Sequence, residues 1–176
     1  QLLQQKDFNN ITLTGDTRID RVLAVKQQPK HLAKIKAFQQ GKNLFIAGST
    51  WPKDHAILFP FFKTYLLKQT DWKILLVPHE VDTSALAAID SAWGNGLPRY
   101  SEISSEQEGN ILVLDTIGAL KHTYQYGKLA YVGGGFGKGI HNTLEPAVFG
   151  LPLFFGPNYR RFQEAVELVA AKSAFS

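Results

Sequence analysis

Between residues 131 and 157 the chain reads YVGGGFGKGIHNTLEPAVFGLPLFFGP, and this stretch holds the residue types best suited to gripping an anion and a diol. Five glycines fall within the seven positions 133–139, after the apolar run Leu129, Ala130, Tyr131, Val132 and before His141, Asn142 and Glu145. A glycine-rich turn leading from a strand into a helix lets backbone amides approach a phosphate closely, and the helix start favours negative charge. Gly134 and Gly135 are the positions from which that approach is expected. A carboxylate at such a turn can accept two hydrogen bonds from a cis-diol, which makes Glu145 a candidate ribose ligand. Its competing role is local, because Asn142 and Glu145 are spaced as an N-cap and its capping-box partner. Pro146 disfavours that register: with Asn142 as cap it becomes the fourth helical residue and removes the first internal hydrogen bond. With Thr143 as cap it falls harmlessly in the first turn, and Glu145 is free to point elsewhere. A turn that merely needs positive φ explains one or two glycines more readily than five.

The glycine run matches neither common phosphate loop. A dinucleotide fingerprint fails at Lys138 or at Ile140, depending on the register, and a Walker loop fails at Val132 and Gly139. Nicotinamide and ATP chemistry both lose their simplest support. Ser49 and Thr50 precede Pro52 and Asp54 in the pattern of a helix start, with Thr50 as cap and Pro52 supplying a preset φ. The same amides offer a second place for a phosphate. Asp16, Thr17 and Arg18 read as a surface turn whose guanidinium suits a carboxylate or phosphate. The histidines show no metal-ligand spacing, so no metal is expected; His79 and His141 fall in turns at strand ends, where they suit ligand contact.

These residues need a scaffold that carries them to one edge. Short runs rich in Val, Ile, Leu and Phe alternate with stretches of helical period, the pattern of βαβ units and a parallel sheet buried on both faces. Strands are predicted near 11–13, 44–47, 74–77, 111–114, 129–132 and 153–155. Helices are predicted near 31–39, 53–68, 83–93, 119–126, 144–149 and 162–171, the second kinked or divided at Pro60. The fold class is therefore α/β, a Rossmann-like sheet of about six strands flanked by helices. In such sheets ligands bind at the carboxyl ends of the strands, where the turns GDTR, GSTWP, PHE, DTIG and GGGFGKG all fall.

Bulk properties set the outer limits. At 176 residues, 44% hydrophobic and 19% charged, the chain has the makings of one soluble domain, read as spanning 1–176. The net charge of +4 arises from scattered lysines and arginines with no basic run, so mild attraction for phosphates or a membrane surface is expected and nucleic-acid binding is not. Without cysteine there is no disulfide, thiolate metal site or cysteine nucleophile. No apolar stretch approaches the roughly 18 residues of a membrane span, and no leader pattern opens the chain. Gln1 and the helical pattern stopping at AAKSAFS, with no closing element, point to a piece of a larger protein.

The segments GDTRIDRV, AGSTW, LLVPHE, LVLDTIGAL, AYVGGGF and GIHNTLEPAVFGLPLFFGP, in this order and spacing, resemble the nucleotide-binding half of the 3-deoxy-D-manno-octulosonic acid (Kdo) transferases. The resemblance runs from about residue 11 to the end. It implies the C-terminal domain of a two-domain GT-B glycosyltransferase that moves Kdo from CMP-Kdo to lipid A precursor at the cytoplasmic face of the inner membrane. It further implies that Pro78 and His79 lie at the cytidine, Ile117, Gly118 and Ala119 form a loop touching CMP, and Asn142, Thr143, Leu144 and Glu145 hold ribose and phosphate. Ser49 and Thr50 match a further loop at the cleft. Many relatives carry Arg where His79 stands, and Met and Glu where Ile117 and Ala119 stand; backbone contacts survive these differences, whereas a side-chain contact from Arg does not. The general base, lipid acceptor and membrane contact belong by resemblance to an N-terminal domain absent from this chain, so no catalytic residue is assigned, and CMP-Kdo is a substrate needing neither metal nor cofactor. Other readings of the same glycines and glutamate are another GT-B enzyme, such as a UDP-N-acetylglucosamine 2-epimerase-like protein, and a non-enzymatic nucleotide-binding module.

Overall fold

The computed structural model describes residues 16–104 and 109–176. Within them, six strands form one wholly parallel sheet in the order β3-β2-β1-β4-β5-β6. The strands are β1 (Asn43–Thr50), β2 (Trp72–Pro78), β3 (Ile111–Val113), β4 (Leu129–Val132), β5 (Leu153–Phe155) and β6 (Ala174–Phe175). The helices are α1 (Thr17–Gln27), α2 (Ala33–Gln39), α3 (Pro52–Thr64), α4 (Thr83–Trp93), α5 (Leu120–Thr123), α6 (Leu144–Ala147) and α7 (Gln163–Ala170). The first strand predicted, at 11–13, lies outside the described residues.

Alternate side chains of the central strands feed two cores, one on each face of the sheet. Phe45, Ala47, Ile74, Leu76 and Tyr131 meet Leu58, Phe59 and Phe62 of α3 and Ile89 and Trp93 of α4. Leu44, Ile46, Leu75, Val77 and Val132 meet Ile35 and Phe38 of α2, Tyr124, and Ala165 of α7. This double burial is why these strands read as unbroken apolar runs.

Four readings of the sequence are corrected. The turn at Asp16 is the start of α1: the Asp16 side chain accepts from the Arg18 amide at 2.9 Å and serves as N-cap. Pro60 does not divide the second predicted helix, for α3 runs unbroken past it to Thr64 and a separate 3-10 turn covers Leu66–Lys68. Thr50 is the last residue of β1 and no cap; the N-cap is Trp51, whose amide donates to Asp54 Oδ2 at 2.8 Å, with Pro52 in the first helical position. The stretch AAKSAFS, read as the end of a helical pattern, leaves the helix at Ala170, and Ala174 and Phe175 pair with Leu153 and Phe154 as β6.

Candidate functional site

The strand order reverses between β1 and β4, whose turns diverge to opposite sides and leave a crevice at their carboxyl ends. Ser49 lies at a bulge in β1 with φ of 52°, a left-handed conformation uncommon for a residue with a side chain. Thr50 is buried and its hydroxyl bonds His55 Nε2 at 2.8 Å. Pro78 ends β2, and the next amide, of His79, donates to the Thr50 carbonyl at 3.0 Å. The His79 ring stacks on Trp51 and on His141, with 4.4 Å between centroids in each case. The rings of Trp51 and His141 lie within 11° of parallel, and the indole Nε1–H donates to His141 Nε2 at 2.9 Å. That bond requires a lone pair on Nε2, so His141 is neutral and carries its proton on Nδ1. Burial first, then the neighbouring His79, holds its pKa below the ordinary histidine value.

The glycine turn has a packing role beside the phosphate contact expected of it. Four of its amides are engaged within the protein: Gly133 donates to the Gly48 carbonyl at 2.8 Å, and Gly134 to buried Asp54 Oδ2 at 2.9 Å. Gly137 and Gly139 both donate to the Gly134 carbonyl, at 2.9 and 3.2 Å. Packing, moreover, demands glycine at four of the five positions. A Cβ on Gly133 would strike the Ser49 carbonyl, one on Gly135 would lie 2.5 Å from the Gly156 amide nitrogen, and Gly134 and Gly139 have φ of 92° and 133° with no room beside them. Only Gly137 has ordinary space. The local explanation therefore reaches further than the sequence indicated. The helix beyond the turn, α6, is one turn long, too short to add much dipole.

Asp54 joins these parts. It is 1% exposed and accepts from the amides of Trp51 and Gly134 and, through Oδ1, from the Tyr131 hydroxyl at 2.6 Å. One carboxylate thus pins the start of α3, strand β4 and the glycine turn together. Burial and this carboxylate push the Tyr131 hydroxyl well above its ordinary pKa.

At α6 the cap is Thr143, and Pro146 sits in the first turn, as the proline argument required. Asn142 Oδ1 accepts from the Leu144 amide at 3.0 Å, while its Nδ2 donates to Glu145 Oε1 at 3.3 Å. Leu144 is half-buried, and the Thr143 hydroxyl is buried with no partner among the described residues. Half-buried Glu145 has its pKa raised by burial, against the opposing pull of Asn142 and Lys121. Asn142 and Glu145 open onto a cavity of about 560 Å³ whose other polar walls are Lys121 of α5 and Arg18 and Arg21 of α1. Arg18 is held by Asp16 at 2.7 Å and Glu164 at 2.9 Å; Arg21 and Lys121 have no ion pair among the described residues.

The predicted residues share the carboxyl edge of the sheet but not a single hollow. Thr50 and Pro78 line a smaller cavity of about 220 Å³, and Gly134 lines one of about 460 Å³ with Trp51 and His141. Gly135 is buried against Gly156 and lines none of these three. Ile117 is 87% exposed, Gly118 turns the chain with φ of 79°, and Ala119 caps α5, two residues before Lys121. Trp51, Asp54, Arg21 and Lys121 escaped sequence reasoning as site residues. Asp54 and Trp51 carried a signal as a helix start, whereas nothing local joins Arg21 to Lys121.

No family model matches the chain. It is 28% identical over 172 residues to the 3-deoxy-D-manno-octulosonic acid transferase of Chlamydophila psittaci, covering 96% of this chain and 39% of that protein. The counterpart in Chlamydia muridarum is 32% identical over 169 residues, covering 93% and 39%, and that of Aquifex aeolicus 29% over 143 residues, covering 77% and 40%. The chain is a relative of the Kdo transferases. It spans about two fifths of the length of these Kdo transferases. Among solved structures it is similar to the C-terminal CMP-Kdo binding domain of WaaA from Acinetobacter baumannii, with a TM-score of 0.64 and 21% identity over 87% of this chain and 77% of that one. That likeness establishes the Rossmann-like parallel fold expected from the strand pattern.

Proposed function

We propose that the carboxyl edge of this sheet binds CMP-Kdo, and that the chain is the donor-binding half of a glycosyltransferase that passes Kdo to lipid A precursor. The observation that carries this reading is the placement of Glu145 and Asn142 on a cavity whose cations without an ion pair among the described residues are Arg21 and Lys121. A carboxylate for a ribose diol and cations for a phosphate are the two chemistries a nucleoside monophosphate demands. The similarity to Kdo transferases over nearly the whole chain, together with the likeness in fold to a CMP-Kdo binding domain, supports cytidine as the base. In transfer, an acceptor hydroxyl bonds to the anomeric carbon of Kdo, the bond from that carbon to the phosphate oxygen breaks, and the electron pair leaves with CMP. The hydroxyl proton goes to a base outside this chain, in the second domain of a GT-B arrangement. Arg21 and Lys121 stabilise the charge growing on the departing phosphate, an electrostatic contribution fixed before reaction. The acceptor and the cytoplasmic face of the inner membrane are reached through the rest of the intact protein.

The test is titration calorimetry with CMP and UMP. CMP is expected to bind and to be preferred, and a uridine preference would favour a UDP-sugar enzyme instead. Glu145→Gln is expected to weaken CMP by about 1.5–3 kcal/mol, the range for hydrogen bonds to a charged group, with the melting temperature little changed. The variant should also stop distinguishing CMP from its 2′,3′-dideoxy analogue. If it keeps the wild-type preference and instead loses about 0.5–2 kcal/mol of stability, Glu145 is a helix-start residue and the ribose role falls.

A further inference from the structure

Adjacent residues open onto different hollows: Asn142 faces the cavity of Glu145, and His141 faces the second cavity, of about 460 Å³, between the start of α3 and the glycine turn. The second cavity has an aromatic wall in Trp51, whose ring is stacked with His79. It has two cations, Lys53 and Lys138, from separate elements; both are exposed and neither has an ion pair among the described residues. Its own carboxylate offers them nothing, because Asp54 is buried and fully engaged with Trp51, Gly134 and Tyr131. A hollow with an aromatic wall and uncompensated cations at its rim suits a ligand with a C–H face and a negative charge.

We infer that this second cavity is the subsite for the sugar acid of the donor, with Lys53 and Lys138 pairing its carboxylate and the indole of Trp51 lying against its ring. The inference rests on the donor-binding reading above. A sugar nucleotide joins its two halves through one phosphate, so its subsites must adjoin, and these two hollows are lined by the consecutive residues His141 and Asn142. A neutral sugar would leave both lysines without a partner, which is why the assignment is to an acidic sugar. Lys53 and Lys138 are thus specificity-determining residues: they read the carboxylate and take no part in holding CMP.

The experiment measures CMP-Kdo and CMP in competition against a fluorescent cytidine nucleotide, using the full 176-residue chain, its Lys53→Gln/Lys138→Gln variant and a Lys128→Gln control. Lys128 is exposed at the opposite, amino-terminal end of β4. The preference for CMP-Kdo over CMP is expected to fall about five- to tenfold in the double variant, as for two exposed ion pairs, with CMP itself and the control nearly unchanged. An unchanged preference in the double variant overturns the inference. So does an equal loss for CMP and CMP-Kdo, which would move the lysines to the nucleotide. A wild-type chain that binds neither ligand would instead sink the donor-binding reading, and the subsite with it.

Discussion

Asp54 is the residue on which the candidate site turns, through the backbone and hydroxyl groups it holds. Three donors converge on its buried carboxylate, and removing the acceptor leaves all three without it. Asp54→Ala is therefore expected to cost about 3–5 kcal/mol in urea denaturation, whereas Tyr131→Phe, which deletes one donor cleanly, is expected to cost about 1–2 kcal/mol. Equal effects would show that the carboxylate does not act as a hub. At this scale the sequence was only partly legible. Glu145, Asn142 and the role of Pro146 could be argued from spacing within a few positions, because a helix start is a local matter. The contact of Trp51 with His141 joins residues 90 positions apart, and no periodicity encodes it. The packing role of the glycines was hidden for a related reason: the partners that exclude a Cβ at Gly133 and Gly135, Ser49 and Gly156, come from other turns of the sheet.

Among the elements, strands β1 to β5 and helix α4 were legible within a residue or three. The strands are buried on both faces, and α4 has its Asp82 cap and a left-handed Gly94 at its end. Helix α1 was missed because only Val22 of its residues is buried, so its apolar stripe is faint. The start of α3 carries a titration that affects the whole fold. His55 is 5% exposed, its ring parallel to Phe59 at 4.9 Å and its Nε2 bonded to Thr50. Burial lowers its pKa to about 4, against the opposing charge of Asp54. As pH falls below the ordinary value of about 6.5, the unfolded chain takes up this proton before the folded one, so the stabilisation present at neutral pH is progressively lost down to about 4. His55 alone is expected to remove about 2 kcal/mol of stability between about pH 8 and pH 5. Denaturation of His55→Gln over the same interval should show a correspondingly flatter profile; an identical slope would refute the assignment.

For the whole molecule, the proposed binding of a charged ligand draws on side chains from α1, the start of α3, the glycine turn and α5. Among the described residues no three of His, Asp and Glu gather as a metal site. CMP affinity is accordingly expected to be the same with EDTA and with magnesium, and a large magnesium dependence would contradict a phosphate held by Arg21 and Lys121. The overall architecture was legible because alternation of strand and helix admits few arrangements, and the parallel sheet follows from it. The strand order also sets a sequence of events during synthesis. Central strand β1 pairs on one side with β2, some thirty residues on, but its other edge waits for β4, where Phe45 meets Leu129. As the chain emerges from the ribosome, the half built from β1, β2 and β3 can assemble first, presenting an open and strongly apolar edge until the glycine turn has been made. The crevice at the switch in strand order thus opens only when the second half of the sheet, begun by β4, docks on the first.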